Sequence, residues 1–222
     1  MPHLMPKLLL LLWVFTIPSF SLNARIGDSE RSLDRRLTAD RYAVELRGNG
    51  AQRLLESGPL RQVFDFSEDV EEIFEYKSYI KSANGDRLST TDAKGEGVAN
   101  GWNYTAVIFG GIVVAESYER VNGSRNTPIN PHEMKSLLVI NQLNHSWDEL
   151  DEMTLPSGDK VDGLIEYDYL RSDGKVFAKS NESHIIFVRG ELDERLRERR
   201  ALKYAEIDAE NLDALGLSVA GF

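Results

Sequence analysis

One stretch of the chain carries residue types that could hold a divalent cation. His145 is followed by four acids within the five positions from Asp148 onward, among them Glu149 and Asp151. Imidazole nitrogens and carboxylate oxygens are ligands that zinc and calcium take from proteins. The spacing nevertheless matches neither an EF-hand loop nor a histidine-pair zinc motif. We therefore predict no metal site, and we interpret residues 145–152 as an acidic loop whose His145, Asp148, Glu149 and Asp151 come nearest to a ligand set.

The sequence has no motif of covalent catalysis. It contains no cysteine and no Gly-X-Ser-X-Gly turn, which are common signs of an activated nucleophile. Its 36 acidic residues allow paired carboxylates for glycoside hydrolysis, but only through their number. We predict no catalytic residue and no cofactor. Tyr167, Tyr169, Phe177 and Phe187 could form a platform for a sugar or a peptide, although aromatic residues of strands commonly belong to the core.

The N-terminus has the layout of a secretory signal peptide. Lys7 supplies a short positive region, residues 8–17 form an apolar run, and Pro18 begins a stretch of small residues. The apolar run is shorter than the roughly 20 residues that a membrane-spanning helix needs. We predict cleavage after Ser21 or Ala24. Residues 1–24 are then the leader, and the mature protein is exported to the periplasm or the extracellular space.

The mature chain is strongly acidic. Removal of the leader takes away Lys7 and no acid, which leaves 25 basic and 36 acidic residues and a net charge of −11. Such a surface repels nucleic acid and anionic lipid headgroups. No apolar stretch after the leader is long enough to span a membrane. We therefore expect an envelope protein or a peptide as the partner, and no nucleic acid; the oligomeric state cannot be predicted.

Four Asn-X-Ser/Thr sequons lie in the mature chain, at Asn103, Asn122, Asn144 and Asn181. In a eukaryotic secretory pathway they would be glycan sites on surface loops. An exported chain of this size without cysteine is more typical of bacteria, where the sequons would be silent. Whether they are used stays open at this point.

The most apolar stretch of the mature chain, residues 103–121, is predicted to be a β-hairpin. A two-residue turn at Gly110-Gly111 places Phe109 opposite Ile112, Val107 opposite Val114 and Thr105 opposite Glu116, and glycine tolerates the positive φ angles of such turns. A membrane span is excluded because only about half of the roughly 20 apolar residues are present. A phosphate-binding loop is excluded because β-branched residues, and not a helix, follow the glycines.

The segment before this hairpin is ambiguous. Within residues 70–82, alternating residues from Phe74 to Ile80 fit a strand, whereas Val70, Ile73 and Phe74 fit a helical stripe almost as well. The aromatic content and the turn at Asn84-Gly85 favour the strand. Residues 84–101 lack periodicity, and we interpret them as a flexible loop.

The best-defined helix begins after Asn130. Asn130 is the predicted cap, Pro131 occupies the first helical position, and Glu133 completes a capping box. Ile129 and Met134 are spaced as a hydrophobic staple. A shorter helix is predicted near the start of the mature chain, capped by Asp28 or Ser29.

A second hairpin and a final helix complete the layout. Asp173-Gly174 is the predicted turn, which pairs Leu170 with Phe177 and Asp168 with Lys179, and residues 184–190 add a third strand. Residues 191–222 are rich in charged helix formers. The predicted class is α+β: an antiparallel sheet made of a hairpin, a helix and a three-stranded meander, with helices on one face and a charged C-terminal helix. We divide the mature chain into a helical or irregular segment (25–60), an α+β domain (61–190), and the C-terminal helix with its tail (191–222).

Residues 24–29, at the start of the mature chain, read Ala-Arg-Ile-Gly-Asp-Ser. This start resembles a family of small exported bacterial proteins of unknown function that open Ala-Arg-Ile-Gly-Glu-Thr. Further residues that match this family are Pro131, Glu133, Leu137, Leu138, Asn144, Trp147, Tyr169, Arg171, Ser172, Asp173, Gly174 and Ala178. The Arg-Tyr-Gly usual after the first helix of the family is missing, and residues 40–100 do not follow the family pattern. The resemblance implies no known activity. The layout also resembles, at the level of fold, the BamE-like envelope lipoproteins, without their lipid-bearing cysteine.

Two functions follow as expectations. The first is a non-enzymatic exported module that binds an envelope protein or a peptide, through a sheet edge or the 84–101 loop. The second is a small hydrolase or a carbohydrate-binding module that uses the acidic loop at residues 145–152. Fold alone does not decide between them.

Overall fold

The computed structural model describes residues 25–39, 42–64, 74–88, 98–150 and 167–219. These residues form one open antiparallel sheet of nine strands together with five helices, so the predicted α+β class is confirmed. The strands are β1 (Ala43–Leu46), β2 (Phe74–Ser82), β3 (Gly101–Phe109), β4 (Ile112–Asn122), β5 (Arg125–Asn126), β6 (Trp147–Glu149), β7 (Tyr169–Arg171), β8 (Val176–Ser180) and β9 (His184–Arg189). Their order in the sheet is β1-β2-β3-β4-β9-β8-β7-β6, and β5 pairs with the end of β4. The helices are α1 (Glu30–Thr38), α2 (Asn49–Ser57), a 3₁₀ helix (Pro59–Gln62), α3 (Pro131–Asn141) and α4 (Gly190–Val219).

The helices cover both faces of the sheet and not one face, which corrects the predicted arrangement. Leu33 of α1 and Leu137 of α3 belong to the core on one face. Leu60 of the 3₁₀ helix and Leu192 and Leu196 of α4 belong to the core on the other. The reason is the central hairpin, because successive residues of β3 and β4 are buried and so both faces require apolar cover.

The turn of the central hairpin is confirmed. Gly110 and Gly111 have φ angles of 57° and 76°, the left-handed values that a two-residue hairpin turn requires. Phe109 pairs with Ile112 and Ile108 pairs with Val113, as a two-residue turn predicts. The turn therefore determines the local register of β3 and β4.

Beyond the turn the predicted register is wrong by one residue. A β-bulge inserts Val114 into β4, so Val107 pairs with Ala115 and Glu116 lies opposite Ala106 in place of Thr105. An extra residue reverses which side chains point to which face from that position onward. Its consequence is that Glu116 enters the core beside α3 and is fully buried.

The ambiguous segment is a strand from Phe74 to Ser82, as the aromatic content favoured. β2 pairs along its whole length with β3, from Phe74 opposite Phe109 to Ser82 opposite Gly101. Residues 65–73, and residues 89–97 of the predicted flexible loop, lie outside the described residues, as do the leader and residues 220–222.

The first described residues extend the sheet beside the hairpin tip. The Gly27 amide donates to the Val113 carbonyl at 2.8 Å, and the Val113 amide donates to the Asp28 carbonyl at 2.9 Å. Ser29 then caps α1 through its side-chain oxygen. Lys77 of β2 binds Asp34 of α1 at 2.7 Å. Residues 26–29, which read Ile-Gly-Asp-Ser, therefore place α1 on the sheet.

The capping box of α3 is confirmed. The Asn130 side-chain oxygen accepts from the amides of His132 and Glu133 at 3.0 and 2.9 Å, and the Glu133 carboxylate accepts from the Asn130 amide at 3.0 Å. Arg120 of β4 binds Glu133 at 3.1 Å. The cap and this ion pair orient α3 so that Leu137 and Asn141 are buried against the sheet.

The second hairpin follows the predicted pairing of Leu170 with Phe177. Asp168 instead accepts hydrogen bonds from the amide and hydroxyl of Ser180, at 2.6 and 2.9 Å, and these replace the expected charge pair with Lys179. Part of the predicted acidic loop is also a strand, because Trp147–Glu149 pairs with β7. No described helix is long and apolar enough to cross a membrane.

Candidate functional site

A cleft of about 480 Å³ opens between the tip of the β3–β4 hairpin and the first turns of α4. We call it the tip cleft. Its volume falls in the range of about 300–1,000 Å³ that is usual for ligand sites. Its apolar side, the floor, consists of Phe74, Phe109, Ile112, Val114, Leu192 and Leu196. Its charged side, the rim, consists of Arg189, Glu191, Arg195 and Arg199.

The α4 side of the cleft follows from helical spacing. Leu192 and Leu196 are one turn apart and are 6% and 4% exposed, because they pack onto the sheet. Arg195 and Arg199 are also one turn apart, on the neighbouring stripe of the same helix. One helix therefore supplies both part of the apolar floor and two of the three rim arginines.

The hairpin side of the cleft ends in an aromatic residue. Phe109 directly precedes the glycine turn and is 36% exposed, which is unusual for a large apolar residue of this sheet. Its ring lies 5.5 Å from that of Phe74 on β2. The Gly110-Gly111 turn carries no side chain that could cover it, so the ring stays accessible.

The rim arginines are held beside the floor. The guanidinium carbon of Arg195 lies 5.8 Å from the centroid of the Phe109 ring, a cation–π geometry. Arg189 binds the carboxylate of Glu191 at 3.1 Å, but the Glu191 side chain is 76% exposed. A cation is thus positioned directly above the apolar floor.

A buried polar contact sets the orientation of α4. The Tyr167 hydroxyl donates to one carboxylate oxygen of Asp193 at 2.7 Å, and Arg197 donates to the other at 2.5 Å. Tyr167 and Asp193 are 7% and 9% exposed. Since Asp193 lies between the floor residue Leu192 and the rim residue Arg195, this contact maintains the shape of the cleft.

The lining of the cleft determines what chemistry its residues offer. Among the described residues that line it, the one carboxylate is that of Glu191, which is exposed and paired with Arg189. General acid–base catalysis needs a proton-transferring group with a suitable pKa next to the reacting atoms. The described lining instead combines apolar contact area with guanidinium groups, which recognise anions through charge-assisted hydrogen bonds.

A second unusual site, the Glu116 cluster, consists of Glu116, Tyr104, Tyr118 and Asn141. The Glu116 carboxyl accepts from the Tyr104 hydroxyl at 2.9 Å and from the Asn141 side-chain amide at 2.6 Å. Burial raises the pKa of Glu116 to about 7, although these donors partly offset the effect. Burial also raises the pKa of both tyrosines well above the usual value, so they remain hydroxyl donors.

The Glu116 cluster connects three parts of the fold. The Asn141 side-chain oxygen accepts from the Ile26 amide at 3.1 Å, and its backbone carbonyl accepts from Arg171 at 3.0 Å. Glu116 itself belongs to the central strand β4. The cluster therefore joins the N-terminal residues around Ile26, together with α3 and β7, to the centre of the sheet. Because the cluster is buried, its role is structural.

Sequence reasoning missed both sites. The Glu116 cluster has one sequence signal, which is a lone acid within the apolar run Val113-Val114-Ala115-Glu116. The tip cleft has a weaker one, the alternation of leucines and arginines from Leu192 to Arg199, which fits an ordinary surface helix equally well.

The predicted acidic residues do not come together in the described part of the chain. His145 lies 3.6 Å from Asp173 of the second hairpin turn. Asp148 and Glu149 are consecutive, exposed residues of β6, so their side chains point to opposite faces. Asp151 lies outside the described residues. No group of three or more His, Asp or Glu side chains suited to a metal occurs among the described residues.

The aromatic residues proposed as a platform lie in the core instead. Phe187 is fully buried. Tyr167 stacks on Phe177 with ring centroids 4.9 Å apart. Tyr169 is partly buried against the core on the other face. These rings therefore serve packing, although Tyr169 and Phe177 remain partly exposed.

Three sequon asparagines, Asn122, Asn144 and Asn181, are exposed. Asn103 is partly buried on β3, and its side-chain amide donates to Glu119 at 2.9 Å. Attachment of a glycan to Asn103 would break this bond, whereas the other three are sterically open.

Comparison of the chain with protein-family models, curated proteins and solved structures finds no match. The resemblance of the mature start to small exported bacterial proteins, and the analogy to BamE-like proteins, therefore stay predictions.

Proposed function

We propose that the protein is an exported, non-enzymatic module that binds a peptide or a segment of an envelope protein, and that the tip cleft is its binding site. One observation carries the proposal: an accessible apolar floor lies beside a group of arginines on a chain whose net charge is negative. The signal peptide predicted at residues 1–24 supports the exported location.

The floor supplies the apolar anchor site that peptide recognition needs. Binding energy at protein interfaces concentrates in a few well-packed apolar and aromatic contacts with arginines near them. Phe109 offers an exposed ring, and Leu192 and Leu196 are buried residues of the same floor. The Asp193 contact to Tyr167 keeps α4 in place before a ligand arrives, which lowers the ordering cost of binding.

A pair of matched variants tests the proposal. Peptides selected by display against the folded mature protein should carry a large apolar residue. Their affinity should fall about tenfold in Phe109→Ser, since an aromatic contact at an interface is worth roughly 1–2 kcal/mol. Val139→Ser is the control, because Val139 is 55% exposed on α3 and does not line the cleft.

Two outcomes would overturn the proposal. In the first, the selected peptides bind Phe109→Ser and Val139→Ser as tightly as the unchanged protein, which would place binding elsewhere. In the second, divalent cations or oligosaccharides raise the melting temperature strongly while no peptide is selected. That result would support the alternative, a hydrolase or carbohydrate-binding module at residues 145–152.

A further inference from the structure

We infer that the tip cleft recognises the C-terminal end of a peptide: the terminal carboxylate binds the rim arginines and the last side chain, a large apolar one, lies on the floor. This inference rests on the proposed function and specifies its partner.

The charge of the rim is complementary to that of a carboxylate. Arg189, Arg195 and Arg199 meet at one cleft, in a mature chain with 25 basic and 36 acidic residues. Guanidinium groups bind carboxylates through two parallel hydrogen bonds, and such charge-assisted bonds are about twice as strong as neutral ones. The rim therefore favours a carboxylate over a neutral or cationic group.

The rim and the floor lie close together. The Arg195 guanidinium lies 5.8 Å from the Phe109 ring, so charge recognition and apolar recognition occur within one residue's reach. A C-terminal residue carries its carboxylate and its side chain on the same Cα atom. Such a residue can satisfy the rim and the floor at once, without contributions from its neighbours.

The charge of the whole molecule limits the number of charges on the ligand. The mature chain, with 25 basic and 36 acidic residues and a net charge of −11, repels polyanions such as strongly acidic peptides, nucleic acids and anionic membranes. Glu191, which is paired with Arg189, reduces the positive charge of the rim further. A ligand with a single carboxylate at an apolar end meets the local attraction with the least long-range repulsion.

The test compares two peptides that differ only at the terminus. Fluorescence polarisation is measured for a labelled Gly-Ser-Gly-Ser-Leu-Phe peptide as the free acid and as the C-terminal amide. The acid should bind the mature protein at least tenfold more tightly, which corresponds to the roughly 1.5–3 kcal/mol of a hydrogen bond to a charged group. The preference for the acid should decrease in Arg195→Gln, because this variant removes a guanidinium that the carboxylate binds and the amide does not.

Two further variants keep the result interpretable. Arg47→Gln removes an arginine that does not line the cleft, whose side chain is 84% exposed and pairs with Glu45, so the acid preference should be unchanged. Arg195→Lys keeps the charge but removes the paired donors, so part of the preference should remain. Melting temperatures of all variants check that folding is intact.

The outcomes separate this inference from the proposed function. If acid and amide bind equally and both are weakened by Phe109→Ser, the cleft binds peptides but not through the terminus, and the inference is wrong. If neither peptide binds, while a free fatty acid such as palmitate does and depends on Arg195, the carboxylate comes from a lipid and both the inference and the peptide function are wrong. If no probe binds, the proposed function fails.

Discussion

The tip cleft and the Glu116 cluster lie on opposite faces of the same hairpin. Ionisable groups are exposed at the cleft and buried in the cluster. At the cleft, the exposed Arg195 lies beside an apolar floor. In the cluster, a carboxyl is fully buried and its two oxygens accept hydrogen bonds from Tyr104 and Asn141. The Glu116 carboxyl has its hydrogen-bond partners within the core and is not accessible to a ligand, whereas the Arg195 guanidinium is accessible at the surface of the cleft. The comparison thus separates a face that stabilises the fold from the face on which we propose that a ligand binds.

A single backbone feature connects the two regions. The bulge at Val114 directs that side chain into the cleft, and two residues later Glu116 enters the core on the opposite face. Without the extra residue, side chains beyond it would alternate onto the other faces. The bulge is therefore required for both regions at once.

The largest expected effect separates the regions through pH. Folding raises the pKa of Glu116 from its ordinary value of 4.5 to about 7, so the folded protein retains this proton where the unfolded chain loses it. The resulting stability is fully present below pH 4.5 and is lost as the pH rises through 7. The free energy of unfolding of the unchanged protein should fall by about 2–3 kcal/mol between pH 5 and 8 relative to that of Glu116→Gln.

The comparison with Glu116→Gln is needed because other groups titrate in the same interval. Burial lowers the pKa of His184, so its contribution to stability is lost as the pH falls and has the opposite sign. Both proteins share His184, and the difference cancels it. Urea denaturation at each pH gives the free energies. If the two proteins show parallel profiles, Glu116 does not titrate with a raised pKa.

The second effect concerns the hairpin turn, which both regions need. Gly110 has a φ of 57°, and a Cβ atom built there meets no other atom within 4 Å. Gly110→Val should therefore destabilise by backbone strain alone, about 1–2 kcal/mol. Gly110→Asn is the matched control, because asparagine tolerates left-handed angles, and it should lie within about 0.5 kcal/mol of the unchanged protein. Equal destabilisation by both would mean that the cost is not conformational.

The third effect should be confined to the cleft side. Tyr167→Phe removes the buried hydroxyl that donates to Asp193 and should cost about 1–2 kcal/mol. Hydrogen exchange should accelerate in the first turns of α4 but not in α3, whose position depends on Asn141 and the Glu116 cluster. Tyr169→Phe serves as the control, since Tyr169 is partly exposed. Equal acceleration in both helices would mean that the two faces are not independent.

Local signals in the sequence predicted the elements but not their assembly. The turns at Gly110-Gly111 and Asp173-Gly174 and the cap at Asn130 depend on residues within a few positions of each other. Such patterns are visible in one sequence. The α+β class followed from their order.

The parts that could not be predicted depend on distant residues. Burial of Glu116 requires the bulge and a donor from Asn141, 25 residues away. Asn141 in turn binds Ile26 across 115 residues. The tip cleft exists because α4 packs beside the hairpin tip, and nothing within the helix marks that neighbour. Helix placement on both faces likewise depends on tertiary packing, which periodicity alone does not specify.

The smallest expected effect distinguishes the regions by their response to salt. Raising the ionic strength from about 0.1 M to about 1 M shortens the Debye length from about 10 to about 3 Å and screens exposed charges far more than buried ones. The preference of the cleft for a peptide acid over its amide should therefore decrease several-fold. The pH midpoint due to Glu116 should hardly move, because its pKa is raised mainly by burial. If salt shifts the pH midpoint as strongly as it weakens the peptide preference, the Glu116 carboxyl must be accessible to solvent. The contrast between a buried Glu116 cluster and an accessible tip cleft would then be wrong.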